Sequence, residues 1–175
     1  MNQVLHSDPP FIHRIWKACL LLTVTAMCTM PLQAQAAADA GRYLHKQGAK
    51  TLKEAVTAEL ASAKKAGQGV ILMFTSDWCS PCKAIKEFVK GSAVVRKALA
   101  KGRLLYIDVD EWRGPAQALI AGVDASKLPT LVRLDDQWKV LQTCFGSELG
   151  LLHEDAIAHN LGRLADGKPI EKPFY

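Results

Sequence analysis

The sequence predicts an α/β domain with a mixed central sheet and helices on both faces. Three observations carry that prediction. The continuous apolar run "VILMFT" at 70–75, with β-branched ends, has the length of a strand buried on both faces, and "RLLYIDVD" at 103–110 reads as a second buried strand. Apolar residues at helical spacing fill the chain between them, so the two strands are joined by a crossover and lie parallel. Two later strand-like runs, "LVRL" at 131–134 and "KVLQTCF" at 139–145, flank Asp135–Asp136–Gln137. A connection that short makes them an antiparallel hairpin.

Taken in order, the chain opens with Arg14 and Lys17 ahead of the apolar run "ACLLLTVTAMCTM". Pro31 breaks the run, and Ala34 and Ala36 supply the small residues of a cleavage site. Residues 1–36 therefore read as a secretory signal peptide. The run is shorter than the roughly 20 apolar residues that cross a bilayer, so no stable membrane anchor is expected after cleavage. Export from a Gram-negative bacterium, and hence a periplasmic location, is the expectation. Residues 37–50 are Ala-rich and polar and read as a leader or a frayed first element.

The predicted domain covers 51–167. Thr51 and Glu54 form a capping box, and Leu52, Val56 and Leu60 line one face of the helix that follows, which ends at Gly67 and Gly69. After the strand at 70–75 comes a helix over about 80–90 carrying Ile85, Phe88 and Val89. A shorter helix, "VVRKALA", precedes the strand at 103–110. Pro115 opens a short helix through Ile120. The last helix, His153–Leu164, turns Ala156, Ile157, Leu161 and Leu164 inward. The tail, 168–175, is interrupted by prolines and predicted to be loosely held.

The net charge of +5 is spread along the chain without a basic block or interleaved aromatic run. Nucleic-acid binding gains no support. Cys19 and Cys28 leave with the signal peptide, and Cys79, Cys82 and Cys144 remain. Export permits disulfides, and the odd count leaves a thiol over within one chain. Cys144 reads as a buried small hydrophobe, with a third redox thiol or an intermolecular bridge as the alternatives.

"TSDWCSPCK" at 75–83 places Cys79 and Cys82 where an apolar strand meets an amphipathic helix. Haem attachment needs His after the second Cys, and residue 83 is Lys. A zinc site needs a second ligand pair. His153 and His159, six apart, fall on different faces of a helix. A structural staple across so short a loop constrains the unfolded chain little. Redox chemistry is the strongest reading. A helix start offers unpaired N–H groups and a positive end, worth about 0.3–1 kcal/mol to a thiolate, or about 2 when partly buried. Cys79 is thus the expected nucleophile, with an exposed sulfur. Cys82, one turn inside the helix, is its sheltered resolving partner.

These residues resemble the thioredoxin superfamily. "FTSDWCSPCK" is similar to its active-site segment, with Trp78 before the first Cys and Pro81 before the second. "KLPT" at 127–130 resembles the loop that carries the family's cis-proline, and "TCFG" at 143–146 the turn toward the final helix. The likeness runs from about Gly69 to Leu164. "SAVVRKALAKGRLLYIDVD" is further similar to the C-terminal thioredoxin domain of the membrane reductase DsbD. The resemblance implies a thioredoxin-like fold and a Cys79–Cys82 redox disulfide. It also implies that Pro129 packs beside Cys79, and that Trp78, Leu128, Pro129 and Thr130 line a substrate groove. No cofactor and no metal are implied.

Two positions depart from the family pattern. The buried carboxylate that some members carry six residues before the first Cys is Met73 here, and Tyr106 replaces the lysine often paired with it. Water, Asp77, Glu87 or Asp108 would have to take the proton of Cys82. Ser80–Pro81 brings no positive charge between the cysteines, which argues for a reducing or intermediate potential within a family span of about −270 to −120 mV. The expectation is a reductase of disulfides in exported client proteins, recharged by a membrane thiol-transfer electron donor. A disulfide oxidase or isomerase is the alternative within enzymes. A metal-handling or redox-gated binding module is the alternative outside them. Trp112 and Trp138, beside loops, are candidates for a partner-binding rim.

Overall fold

The computed structural model describes residues 41–46, 51–113, 123, 126–150 and 153–172. The signal peptide, the helix from Pro115 to Ile120 and Asp124 lie outside the described residues. Among the described residues five strands form one sheet: β1 Gly41–Tyr43, β2 Gly69–Thr75, β3 Gly102–Asp108, β4 Thr130–Leu134 and β5 Val140–Phe145, in the order β1-β3-β2-β4-β5. The β1–β3 and β2–β3 pairs are parallel, while β2–β4 and β4–β5 are antiparallel. The α-helices among the described residues are α1 Leu52–Lys65, α2 Ser80–Gly91, α3 Ala93–Ala98, the single turn α4 Val109–Trp112, and α5 Glu154–Ala165. Among the described residues no helix is long and apolar enough to cross a membrane.

The expected mixed sheet is present, with one strand more than the sequence reading contains. Gly41–Tyr43 falls in the stretch read as a leader and pairs with Leu104–Tyr106 at the sheet edge. Three residues with a single neighbouring strand carry too little alternation to register as a pattern. The strand expected at 103–110 ends at Asp108, whose carboxylate accepts from Asp110 N at 2.8 Å and starts α4. The Asp108–Glu111 spacing is the local signal for that helix start.

Strand alternation divides the core into two layers. On one face, Ile71, Met73, Leu104, Tyr106 and Leu131 pack with Cys82, Ile85 and Val89 of α2 and with Ile157, Leu161 and Leu164 of α5. On the other, Val70, Leu72, Phe74, Leu105, Ile107 and Val132 pack against Leu52, Val56 and Leu60 of α1. Each fully buried Leu, Ile or Phe contributes about 1.5–3 kcal/mol relative to exposure. The capping box at Thr51 is formed in both directions. α1 closes on Gly67, whose φ of 65° lets Gln68 N reach Ala63 O at 2.9 Å.

In α5, Ala158 and Ala165 join Ile157, Leu161 and Leu164 on the buried face, while Ala156 is only half-buried. The start of the tail is held rather than loose. Glu171 N donates to Asn160 Oδ1 at 2.9 Å, Arg163 and Glu171 pair at 2.7 Å, and Ile170 rests on the core.

Candidate functional site

β2 delivers the chain to the redox turn. Thr75 ends the strand, Cys79 N donates to Ser76 O at 3.3 Å, and Cys79 becomes the N-cap of α2, with Pro81 in its first turn. Proline fits there because its missing N–H would have no helical partner. Cys79 and Cys82 form a disulfide with Cα atoms 5.3 Å apart. The Cys82 N–H donates to Cys79 Sγ at 3.2 Å, so the cap sulfur sits on the unsatisfied donors of the helix start. That setting favours a thiolate at Cys79 once the disulfide opens.

Cys82 is fully buried and Cys79 is 4% exposed. The contrast between an open and a sheltered thiol is therefore smaller than expected. As N-cap, Cys79 turns its sulfur back toward the helix, and both cysteines belong to the core layer against α2.

Trp78, by contrast, is 68% exposed, and its indole Nε1 donates to Asp110 Oδ2 at 3.0 Å. Asp110 stands in α4, so the turn after β3 holds the ring beside the redox turn. Sequence reasoning placed Asp110 in a strand and missed this contact. The α4 turn is itself anchored: Glu111 accepts from Lys46 N at 2.5 Å, and Trp112 Nε1 donates to Leu44 O at 2.7 Å. Trp112 is 2% exposed and is core, not a rim residue. Trp138 packs on the α1 side of the sheet, opposite the face that holds the cysteines. Indole size and a loop position did not distinguish these two from Trp78.

The Leu128–Pro129 peptide is cis. Pro129 is buried, and its carbonyl accepts from Gly146 N at 2.8 Å, which ties the 127–130 segment to the end of β5. Leu128 touches the core layer that contains Cys79 and Cys82. Thr130, fully buried, opens β4 opposite Phe74 and Phe145.

In the core layer that holds the cysteines, one register row crosses all five strands: Tyr43, Tyr106, Met73, Leu131 and Cys144. Burial raises the Tyr106 hydroxyl above its ordinary value. It pushes the Cys144 thiol up to about 12, with Glu148 nearby adding to the effect. Neither side chain is a base near neutral pH. Asp77 and Glu87 are exposed, and Asp108 is engaged as the cap of α4. Thr75 and Ser76, fully buried just before the redox turn, have hydroxyls without a hydrogen-bond partner among the described residues. Sequence reasoning passed over both, because burial is invisible in a Thr–Ser pair. Among the described residues no group of three His, Cys, Asp or Glu side chains could hold a metal ion.

Comparison with known proteins agrees with this geometry. Residues 47–147 match the family model described as Thioredoxin. The "Thiol:disulfide interchange protein DsbD 2" of Pseudomonas aeruginosa is 30% identical over 139 residues, 75% of this chain and 24% of that protein. The "Thiol:disulfide interchange protein DsbD" of Pseudomonas sp. (strain JR1 / K1) is 34% identical over 84 residues, 47% of this chain and 14% of that protein. The chain thus spans less than a third of the length of these relatives. A disulphide isomerase from Xylella fastidiosa Temecula1 shares the fold, with a TM-score of 0.53 at 20% identity, covering 69% of this chain and 95% of that one.

Proposed function

The chain belongs to the thioredoxin family of thiol-disulfide oxidoreductases, and from that premise we propose that it reduces disulfides in exported client proteins. The observation that carries the chemistry is the Cys79 sulfur at the α2 N-terminus, receiving the Cys82 N–H at 3.2 Å, with fully buried Cys82 bonded to it. In the reduced protein the Cys79 thiolate attacks a client disulfide. One client sulfur leaves, and a mixed disulfide forms on Cys79. Cys82 then attacks Cys79 Sγ, the second client sulfur leaves as a thiolate, and the proton given up by Cys82 balances its charge. The client gains two electrons and the Cys79–Cys82 pair becomes a disulfide.

Trp78 and Leu128 serve as the client-facing rim, and Pro129 and Thr130, both buried, fix the segment that carries Leu128. Trp78 offers an exposed ring held by Asp110, and the 127–130 segment adjoins the same core layer through Leu128. Export rests on the signal peptide read in residues 1–36, and the periplasm is the compartment proposed. A reductant there needs an electron source, so a membrane thiol-transfer protein recharges the pair. The reducing direction is supported by the uncharged Ser80–Pro81 between the cysteines, which adds no cation to hold the thiolate.

Equilibration with glutathione buffers tests the direction. A reductase has a midpoint toward the thioredoxin end of the range, and a value near about −120 mV overturns the reading in favour of an oxidase. Insulin reduction tests the nucleophile: Cys79→Ser loses the activity, and retention of it would remove Cys79 from that role.

A further inference from the structure

Thr75 carries a feature that the proposed reaction leaves unexplained. Its hydroxyl is fully buried and has no hydrogen-bond partner among the described residues. A buried hydroxyl without a partner is a standing penalty, and here it stands four residues before Cys79. Strand alternation assigns its direction. Ile71 and Met73 of β2 face the layer that contains Cys79 and Cys82, while Val70, Leu72 and Phe74 face the other. Thr75 continues the first series, and Ser76, the neighbouring orphan, belongs to the turn.

Among the described residues, the charged and titratable groups around this layer offer no better partner. From β3 come Tyr106 and the capping carboxylate of Asp108, and from β5 comes Cys144 with Glu148 beyond it. From β1 comes Tyr43, whose hydroxyl is bonded to Lys86 of α2 at 2.5 Å. Lys83 and Glu87 of α2 and Asp77 of the turn are exposed. In the oxidised state the Cys82 sulfur is satisfied by its bond to Cys79. Opening that bond leaves a buried sulfur in an apolar layer.

We propose that the Thr75 hydroxyl is the hydrogen-bond donor to the Cys82 sulfur in the reduced and mixed-disulfide states, making Thr75 a positioning residue for the resolving step. The inference rests on the oxidoreductase reading above. By donating to the Cys82 thiolate, Thr75 favours loss of the Cys82 proton. That proton leaves with the departing client sulfur as the Cys79–Cys82 bond forms, and no proton needs to reside on Thr75.

Ellman's reagent separates the two steps. In the full chain carrying Cys19→Ser and Cys28→Ser, reduced protein releases one thionitrobenzoate as Cys79 attacks and a second as Cys82 resolves. Thr75→Ala and Thr75→Ser both remove a methyl group, and only the second keeps the hydroxyl. The expected result is a second phase slowed about tenfold or more in Thr75→Ala, with its pH midpoint moved upward, as the loss of a charged hydrogen bond implies. Thr75→Ser restores the rate and the midpoint, and the first phase is unchanged in both. Thr75→Val, which keeps the volume, repeats the Thr75→Ala result. Equal second phases in Thr75→Ala and Thr75→Ser, or a wild-type second phase in Thr75→Val, overturn the proposal. A parent protein that releases no second equivalent overturns the oxidoreductase reading itself.

Discussion

Met73 of β2 stands opposite Tyr106 of β3 in the parallel register, in the core layer that also holds Cys79 and Cys82. Met73 is fully buried and Tyr106 is 5% exposed. The pair replaces the buried ionisable groups of some family members with an apolar thioether and a phenol that stays neutral.

Met73→Leu nearly conserves volume and is expected to cost less than about 1.5 kcal/mol, with no change in the pH profile of the thiols. Met73→Asp places an unpaired acid in the same layer. Burial raises its pKa above the unfolded value of about 3.9, so its unfolded state sheds the proton first as pH rises. Stability relative to wild type therefore falls above about pH 4, with a loss of about 3 kcal/mol or more by neutrality. Urea titrations from pH 3 to 8 measure this, and a flat difference between the two proteins would show that the site is wet.

The Trp78–Asp110 contact orients an exposed ring and contributes little to folding. Asp110→Ala is expected to lower stability by less than about 1 kcal/mol. Its effect should fall on protein disulfides, with kcat/KM for insulin reduced several-fold and reaction with a small disulfide unchanged. Equal losses on both substrates would mean that Asp110 acts on the cysteines rather than through Trp78.

Two glycines have opposite expected responses to alanine. A Cβ on Gly102 of β3 would lie 2.7 Å from Ala165 Cβ and 3.1 Å from its Cα. Because a backbone atom is among the contacts, α5 must move, and Gly102→Ala should cost about 1–3 kcal/mol. A Cβ on Gly91, the last residue of α2, meets nothing within 4 Å. Gly91→Ala should be neutral or stabilising by up to about 1 kcal/mol, because alanine loses less chain entropy in a helix. Thermal or urea unfolding of the two variants distinguishes them by sign.

Cys144 makes the fold sensitive to alkali. Its folded thiol is pushed up to about 12 from an ordinary value of 9.0, mainly by burial. The unfolded thiol loses its proton first, so this contribution is complete below about pH 9 and is lost as pH rises toward 12. Tyr106 shifts in the same direction and adds to the loss above its ordinary value of 10.0. Cys144→Ala should flatten the first part of that decline, seen in urea midpoints between pH 8.5 and 10.5 on the oxidised protein (a window set by the thiol's ordinary range). An unchanged slope would place Cys144 in contact with water.

Much of the fold was legible because local patterns coincide with tertiary roles. The stretches 70–74 and 104–107 are apolar throughout because helices cover both faces of β2 and β3. Thr51 and Glu54 mark the start of α1 through neighbours three residues apart. The Cys79–Cys82 spacing, with Pro81 between, identifies a strand-to-helix redox turn from nine consecutive residues. What the sequence by itself determined was therefore local: periodicity, caps, the short hairpin and the cysteine pair.

Only the tertiary structure decided which side chains share space. β1 needs β3 as a partner and has no pattern of its own. Asp110 reaches Trp78 across 32 residues of chain. Trp112 becomes core because a carbonyl 68 residues away accepts its N–H. That the Thr75 hydroxyl has no partner among the described residues becomes visible only when β2 is seen buried on both faces. Spacing encodes contacts within a turn or a strand, whereas burial and long-range hydrogen bonds depend on how the strands are ordered in the sheet.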